Sequence, residues 1–208
     1  MRVVALALAA VLLLGTVAVA KTDWASLTFK YKQVLVRYPT DPHARFSLAM
    51  VYAHEGQLLN GWRELQMIGK QLSPEQQQRF ATEVVGEADR VLQRSSNDIL
   101  IRYRRAFALY FLGQKDAAKM EFEKIVALEP DHSWSLGYLG YGYMDKGDLN
   151  RAIALWERGV KADPDNSVLH YVLGLAYTRK GELKKAAKHF ATAYKDRTLY
   201  EYVKGKGN

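Results

Sequence analysis

From residue 99 to residue 198 the same residue types return every 34 positions, and this fixed period limits the fold more than any other feature of the chain. Gly113, Gly147 and Gly181 form one set, and Ala118, Ala152 and Ala186 a second. Phe122, Trp156 and Phe190 form an aromatic set, while Pro130 and Pro164 close their units and Thr198 takes that place in the last. Four residue classes keeping one period without an insertion mark a stack of identical supersecondary units. Glycine at the turn, a small residue on the next helix and proline at the exit describe a helical hairpin repeated three times: 99–132, 133–166 and 167–198. One such hairpin cannot bury its apolar face alone, so stability has to come from stacking.

The spacing inside each unit resembles the tetratricopeptide repeat. Leu139, Gly140, Tyr143, Gly147, Ala152, Trp156 and Pro164 stand in that family's order and intervals, as do Leu173, Gly174, Tyr177, Gly181, Ala186 and Phe190. The resemblance implies an all-α, right-handed α-α superhelix, with one row of side chains on the first helix of each unit lining a concave groove that takes ligands.

The front of the chain follows the pattern less closely. Residues 1–20 combine Arg2 with an uncharged apolar run from Val3 to Ala20, which reads as a targeting segment. Ala18-Val19-Ala20 offers small residues for cleavage; retained, the run would just reach across a bilayer and anchor the chain. Export to a periplasm, cell envelope or extracellular space follows from either reading, and the absence of cysteine suits an oxidising compartment. Residues 21–72 read as half a repeat, with Trp24, Leu27, Tyr31, Val34 and Leu35 at helical spacing, followed by one degenerate repeat. In that repeat Asp41-Pro42 starts a helix carrying Phe46, Leu48, Ala49 and Tyr52, and Gly61 and Leu65 replace the usual small and aromatic residues. Gly56 and Gly113 are 57 apart, one period plus 23, so a helix has been inserted over 73–98. Ser73-Pro74-Glu75-Gln76 supplies its cap, and the superhelix is expected to change direction near Gln71 to Ser73. Residues 199–208 read as a short basic tail, too short for a capping helix, which would leave an apolar end exposed.

Little in the sequence points to chemistry. With no cysteine, disulfides, thiolate metal sites and thiol nucleophiles are excluded. His43, His54, His132, His170 and His189 show no metal-ligand spacing, and no cofactor is expected. The glycines from Gly140 to Gly147 match no phosphate-binding pattern and read as repeat packing. The chain is therefore read as non-catalytic.

The informative feature is the outward row. It holds Tyr103, Arg104, Phe107, Tyr110 and Phe111 in one unit, Trp134, Tyr138 and Tyr141 in the next, and Tyr171 and Arg179 in the last. Eight of the 24 aromatic residues fall on a face that a purely structural role would leave polar. These ten residues are the candidate ligand groove, and a peptide or amphipathic helix of another protein is the expected occupant. Repeat proteins that clamp a terminal carboxylate use Asn and Lys or Arg there, and only Arg104 matches in kind, which argues against that mode. Two other readings stand beside it. One is that the aromatic row is hidden, by the curled front half, by the C-terminal residues, or by another copy in a scaffold that assembles with itself. The other is attachment of the basic C-terminal region, net +6 over residues 179–208 in a chain of net +8, to an anionic membrane or cell-wall polymer. Export argues against nucleic acid.

Overall fold

A computed structural model describes residues 23–206; the segment 1–20 read as a leader or anchor lies outside the described residues. Among the described residues there are eleven helices and no strand. They are α1 (Trp24–Arg37), α2 (Pro42–His54), α3 (Leu58–Gln71), α4 (Pro74–Arg94), α5 (Ile99–Phe111), α6 (Lys115–Leu128), α7 (Ser133–Asp145), α8 (Leu149–Ala162), α9 (Ser167–Arg179), α10 (Leu183–Ala193) and α11 (Arg197–Lys206).

Most of these helices begin where a side chain answers the free amides of the first turn. Asp41 accepts from the amides of His43 and Ala44 ahead of α2, and Ser73 with Gln76 forms a reciprocal capping box on α4. The place before the first helix of each back unit is filled three ways: Asp98 accepts from Ile101 N–H, His132 from Ser135 N–H and Asn166 from Leu169 N–H. The hairpin turns are equally regular. Gly56, Gly113, Gly147 and Gly181 have φ between +75° and +81°, where a β-carbon is penalised. The amide after each reaches back five residues, as from Gln114 to the Leu109 carbonyl at 2.9 Å, the bond that closes a Schellman motif.

Close approach explains the small residues. A β-carbon on Gly140 would stand 2.4 Å from Trp156 Nε1, and one on Gly174 would stand 2.6 Å from the Phe190 ring. The Trp156 indole also donates to the Gly137 carbonyl at 2.9 Å, so the aromatic residue is fixed in orientation as well as depth. Gly61 obeys the same rule: its β-carbon would lie 3.0 Å from the Ala49 carbonyl oxygen.

The pairs α2–α3, α5–α6, α7–α8 and α9–α10 are the hairpins, and α1 packs on α2. At Ser73-Pro74 the chain leaves α3 and lays α4 along α5. The front half does not stand apart from the back: one core runs from Trp24 through Phe46, Val84 and Tyr103 to Leu139, and a second, smaller one joins Ala152, Trp156, Leu173 and Tyr177. The front half curls until α2 meets α5 and α7. The stretch expected as a tail is instead helical, because Asp196 accepts from the Leu199 amide and caps α11.

Candidate functional site

The concave side of α5, α7 and α9 is where the outward row lies, and the front half decides how much of it stays open. Tyr103 is fully buried, edge-on to Trp24 of α1 and Phe107 of α5, with ring centroids 6.3 and 4.9 Å away. Trp134 is buried too and donates its indole N–H to the His54 carbonyl at the end of α2, at 3.0 Å. Tyr103 therefore belongs to the core and not to an open groove, which corrects the expectation for it; Trp134, though only 5% exposed, still lines the groove. The cause is the curl of α1 and α2, which covers the concave face at its N-terminal end. Burial raises the Tyr103 hydroxyl well above the ordinary tyrosine range, with the nearby Tyr138 adding to it.

Arg104 also departs from the groove. Its guanidinium turns to Glu87 of α4 at 3.8 Å. Tyr141 and Arg179 are exposed and do not line the groove.

The other five aromatic residues gather. Phe107 and Tyr138 meet edge to face at 4.6 Å, and Tyr138 stacks on Phe122 at 4.8 Å. Burial raises the Tyr138 hydroxyl as well. Tyr110, Phe111 and Tyr171 complete the back wall, with Phe111 55% exposed. Across from them stand residues that the outward row did not include: Met50 of α2, and Trp62 and Leu65 of α3. Trp62 is 52% exposed. Leu199 and Val203 of α11 close the third side.

Together these elements enclose a groove of about 1580 Å³. Its polar lining consists of amides such as Gln57, Asn60, Gln66 and Gln77, the hydroxyls of tyrosines, and a single carboxylate, Asp196, which is engaged by the Ser167 hydroxyl at 2.8 Å. The result is a groove with an apolar, aromatic floor. Such a surface buries carbon and orients it. Among the described residues no group of three or more His, Asp or Glu is placed to hold a metal ion.

Comparison with known proteins agrees with this architecture. Models of the tetratricopeptide repeat match residues 100–132 and 139–200. No curated protein matches the sequence. Among solved structures, MamA 41-end from Desulfovibrio magneticus RS-1 is 22% identical, with 85% of this chain and 96% of that chain covered and a TM-score of 0.50. A double mutant of MamA RS-1 is also 22% identical, covering 88% and 98%, with a TM-score of 0.51. A thermophilic TPR protein in Thermus thermophilus is 14% identical, covering 86% and 88%, with a TM-score of 0.51. At these identities the likeness is one of fold.

Proposed function

We propose that this chain, a tetratricopeptide-repeat protein whose repeats span residues 100–132 and 139–200, is a non-catalytic interaction module that holds an amphipathic helix of a partner protein in its aromatic groove. The repeat fold is one of protein–protein interaction. The size and lining of the groove carry the rest. A helix about 10 Å across has a cross-section of about 80 Å². A groove of about 1580 Å³ thus holds about 20 Å of it, three to four turns. An apolar face on the partner fits Trp62, Phe111 and Tyr138, and its polar outer face stays in water.

The leader-like residues 1–20 support a location for both molecules outside the cytoplasm, in the cell envelope or beyond it. Self-stacking is a weaker reading because the two ends of the superhelix share one sign of charge. The C-terminal thirty residues are net +6, and α1 carries Lys30, Lys32 and Arg37.

The test uses a 14-residue helical peptide with leucine and phenylalanine on one face and glutamate on the other. Binding is followed by calorimetry with the wild-type chain and with the Trp62→Ser/Phe111→Ser double variant. Both residues are more than half exposed, so the variant keeps the helical circular dichroism of the wild type. It is expected to bind at least tenfold more weakly. Equal affinity of the two proteins would exclude the groove.

A further inference from the structure

The outer side of the last hairpin is a second surface, separate from the groove. α10 packs against α9, and α11 leads away from it, touching it chiefly through the Tyr194–Tyr200 ring pair at 5.7 Å. Ala186 and Ala193 face inward and are buried, which turns the opposite side of α10 to solvent. Leu183, Ala187 and Tyr194 lie along the edge between the buried and the solvent side, with Leu183 66% and Tyr194 38% exposed and the Tyr194 ring stacked on Phe190 at 5.9 Å. Beside this line run Lys184, Lys188 and Lys195, all exposed and none in an ion pair within 4.0 Å among the described residues. Tyr200, Arg197 and Lys204 on α11 extend the same composition.

We propose that this face docks on the surface of an anionic lipid bilayer. A helix with a thin apolar edge and a lysine row lies in the headgroup plane, with leucine dipping below it and tyrosine at its level. The lysine stems follow the apolar surface while their ammonium groups stay hydrated among the phosphates. A protein helix in the same place would have to strip water from three lysines for little apolar gain. A second copy would bring another basic surface to meet them. The bilayer is the occupant that takes both the charge and the exposed leucine. Bound this way, the module would present its groove from the membrane surface.

The experiment uses the chain without residues 1–20, so that the apolar run does not itself insert; the described helices all lie after residue 23. Cosedimentation is measured with vesicles of phosphatidylcholine alone and with 30% phosphatidylglycerol. Binding is expected only to the anionic vesicles, and to fall at least tenfold at high salt, since exposed charges are screened within about 10 Å at 0.1 M. Lys184→Gln/Lys188→Gln/Lys195→Gln should weaken it on the order of 100-fold, at roughly fivefold per lysine. Leu183→Ser should weaken it at unchanged salt dependence, and Trp62→Ser/Phe111→Ser should leave it unchanged. No binding of the wild type to anionic vesicles overturns the proposal. Equal binding by the triple variant, or binding to soluble polyglutamate but not to vesicles, overturns it as well.

Discussion

Acidification should loosen the seam between the front half and the repeat array, and His132 allows the size of the effect to be worked out. Its Nδ1 accepts the Ser135 amide at 3.2 Å, capping α7, so the proton sits on Nε2, 3.1 Å from His54 Nδ1. His54 in turn stacks on Trp24 at 3.8 Å, and Tyr103 stands edge-on to His132 at 5.2 Å. Burial lowers the His132 imidazole to about 4. The folded protein therefore holds it neutral, while the unfolded chain takes up a proton below about 6.5. Between these values the unfolded state binds more protons, so stability falls as the pH drops. Integrated, this one group removes about 2 kcal/mol between pH 7 and pH 5, and about 3 kcal/mol by pH 4. The control is His132→Asn, since asparagine is what the next repeat uses at the same place to cap α9. Urea unfolding followed by far-ultraviolet circular dichroism at pH 7, 6 and 5 gives the slope for each protein. The variant starts less stable because it loses the ring contacts, but its loss between pH 7 and pH 5 should be about 2 kcal/mol smaller. Parallel slopes would show that His132 is not the group that titrates. His189, also lowered by burial and then by His170, acts in the same direction in both proteins and so leaves their difference unchanged.

Two further outcomes follow from packing. Gly140→Ala and Gly174→Ala force a methyl into the Trp156 and Phe190 rings, at 2.4 and 2.6 Å, and should cost about 1–3 kcal/mol in urea unfolding. Gly142→Ala, with nothing within 4 Å, should instead gain roughly 0.5–1 kcal/mol, and a similar cost for all three would refute the close-approach argument. Glu121 is buried between Arg102 at 2.8 Å, Arg105 at 3.2 Å and Lys124 at 2.8 Å. Glu121→Ala leaves two largely covered guanidiniums without their carboxylate and should cost about 3 kcal/mol, read as a lowered melting temperature; an unchanged melt would mean that water already serves them.

The repeat array was legible because its periodic residues answer local demands of the backbone. Gly113, Gly147 and Gly181 sit at positive φ, and Gly140 and Gly174 sit where a ring from the next helix leaves no room for a β-carbon. Such demands are written into residue type at a fixed spacing and need no knowledge of the rest of the molecule. Gly61 shows the same in the degenerate repeat. It looks like a departure from the pattern, yet the Ala49 carbonyl requires the smallest residue there. α11 was missed for a different reason. Asp196 is an ordinary capping residue, but Gly205 and the lysines around it hid the helix that follows.

The site was legible only in part, because helical geometry says which way a side chain points and not what it meets. Tyr103, Trp134, Phe107 and Tyr138 all point to the concave side. What separates Tyr103 from the others is the placement of Trp24, 79 residues away in sequence. The inserted helix produces that placement: α4 fills the space along α5 and returns the front half toward the array's inner face. In a superhelix of this kind the inner row is potential ligand surface along its whole length, and any segment that folds back over it converts part of that surface into core. The front half therefore does two jobs with one movement. It seals Tyr103, which supplies burial that its irregular repeats lack, and it brings Met50, Trp62 and Leu65 to the same groove as Phe107, Tyr110, Phe111 and Trp134, which gives an open trough a second wall.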